Sequence, residues 1–229
     1  MHVGHNNPKY EYFMSGQKLE TVESEKDIGV KIHRSLKPKH HCEEIVKKAK
    51  IVLQQISRSF HFRDRHIFLK LYKTYVRPHL EYCVQVWAPW TVAEKESIES
   101  VQKAAVGMIS GLSGSTYEEK LTELHLDSLS KRRHIFDMVE TFKIIRGHEN
   151  VDANLWFQKI DQNARQTRLT AHPLNLVRRK VSRTDVRNNF FSQRVINPWN
   201  NLPDEVKDAR KVQSFKDELH KHLEAQPTE

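Results

Sequence analysis

A chain of 229 residues, 38% hydrophobic and 29% charged, suffices for one ordinary domain or two small ones around a lean core. Lysine and arginine exceed aspartate and glutamate by nine, and the pI near 9.5 implies a positive field that suits polyanions, of which nucleic acid is the usual one; a merely soluble basic protein fits the charge equally well. Two cysteines exclude a disulfide framework, no apolar run nears the roughly 18–20 residues of a bilayer span, and Met1-His2-Val3-Gly4-His5 lacks a secretory core, so the expectation is an intracellular protein of cytoplasm or nucleus with no membrane partner.

Residues 9–14 read as a strand, Ser15-Gly16-Gln17 as a turn and residues 18–22 as a returning strand. Asp27-Ile28-Gly29-Val30-Lys31-Ile32 alternates like a half-buried third strand, giving a thin three-stranded sheet. From residue 40 to 60 the period turns helical, with Ile45, Ala49, Val52 or Leu53, Ile56 and Phe60 on one stripe. Asp64 is an N-cap for a helix through Ile67, Phe68, Leu71 and Tyr75, which Pro78 should stop after Arg77. Residues 79–87 are apolar on nearly all sides and read as a short buried helix closed by Pro89.

Thr91 caps a helix through Ile98, Val101, Ala105, Met108 and Ile109 that ends at Gly111. Ser115 or Thr116 opens a short helix through Leu121 and Leu124. Ser128 or Ser130 opens a longer one through Ile135, Val139, Phe142 and Ile145, ended by Gly147. Residues 148–195 look loop-rich. Residues 197–203 read as a stiff turn, and a last helix is expected from Val212 through Phe215, Leu219 and Leu223. The basic charge is concentrated in residues 162–195, where Arg165, Arg168, Arg178, Arg179, Lys180, Arg183, Arg187 and Arg194 face Asp185 alone. Arginine suits bidentate phosphate contacts and base stacking.

The run from Leu71 to Trp90 packs three tyrosines, two prolines, two tryptophans, Arg77 and Glu81 into twenty residues, a mixture no generic helix requires. It resembles the segment after the polymerase core in reverse transcriptases of non-LTR retrotransposons of the jockey and chicken-repeat kind. Further motifs follow in the family's order. Lys26-Asp27-Ile28-Gly29-Val30 resembles the primer-grip hairpin, the helical stretch from His40 and Arg58-Ser59-Phe60 resemble the thumb, and Ile98-Glu99-Ser100-Val101-Gln102-Lys103-Ala104-Ala105 is similar to the next helix. Tyr117-Glu118-Glu119-Lys120-Leu121, Leu126-Asp127-Ser128-Leu129 and Arg132-Arg133 continue it. Thr167-Arg168, Phe190-Phe191-Ser192-Gln193-Arg194 and Trp199-Asn200-Asn201-Leu202-Pro203 bring the likeness almost to the C-terminus.

The resemblance implies a mainly α fold: a palm-edge, primer-grip-like β segment over 1–35, a helical thumb-like domain over 36–112, a helical extension over 113–147, and a basic, loop-rich region with a terminal helix over 148–229. A primer grip needs backbone close to the duplex, which Gly29 permits by lacking a Cβ. A thumb wants cations opposite its apolar stripe, which Lys47, Lys48 and Lys50 satisfy; a plainly solvated face is the other reading of those lysines. Arg178, Arg179, Lys180 and Arg183 are the candidates for template RNA. The implied partners are RNA, an RNA–DNA duplex and the polymerase's palm and fingers.

The family's palm aspartates bind two magnesium ions, and the polymerase needs paired carboxylates to hold metals about 4 Å apart. This sequence has no Asp-Asp pair and nothing resembling palm, fingers or an endonuclease. No cofactor is therefore expected in this chain, magnesium belonging to the full-length enzyme, and no catalytic residue is assigned. The expectation is the C-terminal part of a longer reading frame, or a relic fragment. A helical protein–protein module with a solvated basic face is the reading from another class.

Other constellations favour structural roles. His40-His41-Cys42 places three ligand types side by side, where they cannot easily share one tetrahedral ion, so they read as helix-start residues. His61-Phe62-Arg63-Asp64-Arg65-His66 reads as an interhelical loop. Pro203-Asp204-Glu205-Val206-Lys207 holds the letters of a nuclease motif, but contiguous rather than converging from separated segments. Cys83 has no adjacent cation to activate it. Glu81 needs a partner, and Arg77 four residues earlier is the obvious one. Trp87, Trp90, Phe190 and Phe191 read first as core anchors, although aromatic and arginine together also serve single-strand binding.

Overall fold

The computed structural model describes residues 1–4, 6–60, 64–160, 172–178 and 185–225. Helix dominates among them, behind a small β piece at the front. That β piece departs from the predicted sheet. Strands Phe13–Met14 (β1) and Gln17–Lys18 (β2) form one antiparallel hairpin, and Ser24–Asp27 (β3) and Val30–His33 (β4) form a second, separate one. Each closes on a two-residue loop with both φ angles positive: Ser15 +50° with Gly16 +78°, and Ile28 +42° with Gly29 +82°. Such loops match the right-handed twist of the flanking strands. Residues 27–32, predicted as one strand, therefore turn back on themselves at Ile28-Gly29.

The long helix Lys39–Ser59 (α1) buries Ile45, Ala49, Leu53 and Ile56 as its period predicts, and Val46 beside them, while Phe60 stays exposed. The next helix, Arg65–Leu71 (α2), is capped by Asp64, whose carboxylate accepts the His66 and Ile67 amides at 2.9 and 3.1 Å. Pro78 does not stop it. A π-helical turn, Tyr72–Val76, closes with the Arg77 amide on the Tyr72 carbonyl, and Arg77–Glu81 (α3) continues with Pro78 in its first turn. The wider turn accommodates the proline, whose ring would strike the preceding turn of a regular α-helix. It also explains a stripe the sequence period missed: Phe68, Tyr72, Val76, Leu80 and Val84, each at most 2% exposed, recur at strict intervals of four. A regular α-helix would drift about 40° at each such step, and the π turn takes out part of that drift. Ile67 and Tyr75, predicted on the stripe, face outward.

The predicted buried helix over 79–87 is broken. Cys83 adopts a left-handed conformation (φ +56°) between α3 and Val84–Trp87 (α4), leaving Tyr82 and Val86 exposed. Glu81 finds its expected partner, Arg77 Nε, at 3.6 Å. Val92–Gly107 (α5) and Tyr117–Glu123 (α6) begin with reciprocal capping boxes, Thr91 with Glu94 and Thr116 with Glu119. These satisfy amide donors that each helix start leaves over. Leu129–Arg146 (α7) follows as predicted.

The chain divides into two compact units, Met1–Ser130 and Lys131–Glu229. In the second, short helices replace part of the expected loop, Ala153–Trp156 (α8), Asp185–Asn188 (α9) and Phe191–Arg194 (α10); Ile196–Asn200 (α11) and Asp204–Lys207 (α12) follow, and the last helix, Val212–Ala225 (α13), forms as predicted. Residues 197–203 are thus partly helical, not a turn alone. Trp199 is fully buried among Phe142, Phe157, Leu176, Phe191 and Phe215, with its ring stacked 5.9 Å from that of Phe215. No helix among the described residues is long and apolar enough to cross a membrane.

Candidate nucleic-acid interface

The β3–β4 hairpin is pinned to the helical body at two points. The Tyr82 hydroxyl donates to the Ile28 carbonyl at 3.1 Å, and the Lys31 amide donates to His41 Nδ1 at 3.1 Å. Trp87 braces both anchors: its indole N–H donates to the Tyr82 carbonyl at 2.7 Å, and its ring meets His41 edge-on at 5.0 Å. Burial holds the His41 imidazole down to about pKa 4, so it stays neutral and accepts at ordinary pH. Gly29 sits at the hairpin tip, where a Cβ would come within 3.4 Å of the Tyr82 ring. That is ordinary contact, so what this position asks of glycine is its φ of +82° rather than space.

The three lysines of α1 separate around the helix. At about 100° per residue, Lys47 and Lys50 stand 60° apart, while Lys48 lies 100° from one and 160° from the other. Lys47 and Lys50 are exposed and, with Gln54 and Ser97, line a groove of about 430 Å³ that Glu43 also borders. Lys48 instead donates to Glu44 at 2.7 Å, and Lys26 of β3 donates to the same carboxylate at 3.0 Å. The two ammonium groups, Lys48 first, hold the Glu44 carboxyl down to about 2.

Of the arginine-region candidates, Arg178 is exposed at the end of residues 172–178, while Arg179, Lys180 and Arg183 lie outside the described residues, as do Arg165 and Arg168. Asn200 clamps the segment that carries Arg178, accepting the Leu176 amide at 2.8 Å and donating to its carbonyl at 2.9 Å. The Trp199 indole donates to the Leu174 carbonyl at 2.8 Å, and Lys207, 2% exposed, donates to Asn175 Oδ1 at 2.9 Å. The contiguous run from Pro203 to Lys207 therefore supplies a buried structural ammonium.

Arg187 is exposed on α9. Arg194 is not a surface cation: its Nε and Nη2 each donate to the Asp137 carboxylate at 2.9 Å, and both side chains are less than a fifth exposed. Burial pushes the Asp137 carboxyl up against the pull of that guanidinium. Sequence reasoning missed this pair, the Asn200 and Lys207 clamps and the His41 acceptor. Each links residues ten or more apart in sequence, which no local pattern announces.

Among the described residues, no three His, Cys, Asp or Glu side chains come together as metal ligands. No protein-family model matches the chain, and neither a curated protein nor a solved structure does.

Proposed function

We propose that this chain is the primer-grip edge, thumb and C-terminal region of a non-LTR retrotransposon reverse transcriptase, acting as a clamp on template RNA or an RNA–DNA duplex. The reading is carried by the β3–β4 hairpin, a tight glycine turn held by Tyr82 and His41 beside a long helix that turns Lys47 and Lys50 to solvent. A clamp of this kind grips phosphates rather than bases, so it binds without sequence preference. Arg178, together with Arg179, Lys180 and Arg183, serves the template strand in this reading. Catalysis belongs to carboxylates outside this chain, with magnesium as their cofactor.

Binding of an RNA–DNA hybrid, measured across a salt series, tests the proposal. Replacing both Lys47 and Lys50 by alanine should weaken binding across sequences and flatten the salt dependence by roughly one unit of slope per lost phosphate contact. Lys48→Ala should do less, because Glu44 already engages that ammonium. Unchanged affinity and slope in the double variant would remove α1 from the interface.

A protein partner is favoured by the first hairpin. Tyr10, Tyr12, Phe13, Met14 and Leu19 are all at least 46% exposed there, and a lone two-stranded hairpin cannot bury a core of its own. Within the polymerase reading, that partner is the palm and fingers. In the competing reading the chain is a protein-interaction module alone, and it would ignore RNA at about 0.15 M salt.

A further inference from the structure

The unit Lys131–Glu229 fills its core with sixteen buried apolar side chains, yet it leaves Trp156 43%, Phe190 52%, Leu155 78% and Val151 45% exposed. Of the chain's other tryptophans, Trp87 and Trp199 are buried, so an open indole here calls for a reason. This indole is also held in place. Its ring stands at 74° to that of Phe191, 6.2 Å away. Phe191 in turn is braced by Phe157 at 6.0 Å and by the Arg194 guanidinium 5.5 Å above its face. Arg194 is locked by its two bonds to Asp137. Phe190, next along the chain, presents a second open ring at the start of α10.

We propose that the surface formed by Trp156 and Phe190, edged by Arg187, binds the unpaired bases of single-stranded nucleic acid by stacking. The charge around it selects the occupant. Arg187 precedes Phe190 by three residues, Lys159 follows Trp156 by three, and both are exposed, as is Arg178. The neighbouring carboxylate, Asp152, is occupied capping α8 through the Asn154 amide at 2.9 Å. Open aromatic rings among arginines suit a strand whose bases offer π faces and whose phosphates need cations. Paired duplex bases are stacked on one another and present no free face, so the surface discriminates for single strands. The proposal rests on the nucleic-acid reading above and adds unpaired bases as a ligand.

The test uses the full chain, a labelled oligouridylate and an RNA–DNA hybrid of the same length. Phe190→Ala and Trp156→Ala should each lower oligouridylate affinity roughly tenfold, leave hybrid affinity alone and leave the salt slope unchanged, since no phosphate contact is lost. Trp156→Phe, which keeps a ring, should retain most of the affinity, and an unchanged unfolding midpoint for Phe190→Ala shows that the fold survives. If the parent binds oligouridylate and Phe190→Ala binds it equally well, the platform is overturned while the clamp stands. A parent that binds neither probe overturns the nucleic-acid reading itself. If Phe190→Ala instead dissolves a self-associated species in sedimentation, the patch joins two copies of the chain and the proposal fails.

Discussion

The largest interior polar networks of the two units differ in charge. In the first, beside the Arg77–Glu81 ion pair, the network joins neutral groups to a single carboxylate. The Tyr72 hydroxyl donates to Gln102 Oε1 at 2.7 Å, and Gln102 Nε2 donates to the Tyr117 hydroxyl and the Asp127 carbonyl at 2.9 and 3.0 Å. The Tyr117 hydroxyl donates a hydrogen bond to the half-buried Glu99, which also accepts the Leu129 and Ser130 amides at 3.0 and 3.3 Å. In the second unit the interior polar groups carry charge: Arg194 on Asp137, and Lys207 on Asn175. A buried charge that loses its partner costs more than a neutral group in the same position. Removing Asp137 from the second unit should therefore cost more than removing the neutral Gln102 from the first.

Asp137→Ala should have the largest effect. It strands the Arg194 guanidinium and should destabilise the second unit by about 3–5 kcal/mol, read as a shift in its denaturant midpoint; a loss below about 1 kcal/mol would show that the pair is solvated. Acid should come next, and it should act on the first unit. The folded pKa of His41 lies near 4, below its ordinary 6.5, so the unfolded chain binds the extra proton between those values. Stability is full above about pH 6.5 and falls as pH drops toward 4, by up to about 3 kcal/mol. Glu44, held near 2, adds a second loss as pH falls from about 4.5. Urea titrations at pH 7 and pH 4.5 should reveal the first of these losses, and His41→Gln should flatten it.

Gln102→Leu leaves two buried hydroxyls and a carbonyl short of a partner. It should cost about 1–3 kcal/mol, less than Asp137→Ala; the reverse order would undo the comparison between the units. The smallest effects lie in the hairpin tip. Ile28 is β-branched at φ +42°, a conformation that asparagine adopts more readily. Ile28→Asn should raise the unfolding midpoint by roughly 0.5–1 kcal/mol in equivalent stability, whereas Gly29→Ala should lower it by about 1–2 kcal/mol.

What could be read along the chain was whatever local chemistry controls. Asp64 and Thr91 cap the helices they were expected to cap, and Thr116, one of two residues expected, caps the next, because a cap spans only three or four residues. The face of α1 was legible for a similar reason: five apolar residues at helical spacing leave little choice. Local rules failed where the fold outweighed them. Proline predicted a helix end at Arg77, and the buried Tyr72 and Val76 stripe instead held the chain in a π turn. Alternation predicted a third strand where Ile28-Gly29 reverses, since a two-residue turn leaves little trace in hydrophobic period.

Sequence alone therefore determined a basic, mainly helical chain, its helix starts, its long amphipathic helix and the concentration of arginine near its end. Tertiary structure decided which cations are available. It brings Lys26 to the Glu44 carboxylate and ties Arg194 to Asp137, buries Lys207, and leaves Lys47, Lys50, Arg178 and Arg187 in solvent. The physical reason is one of range. Helix caps and periods act over a few residues, whereas a charge is bound or free according to groups that only folding brings beside it.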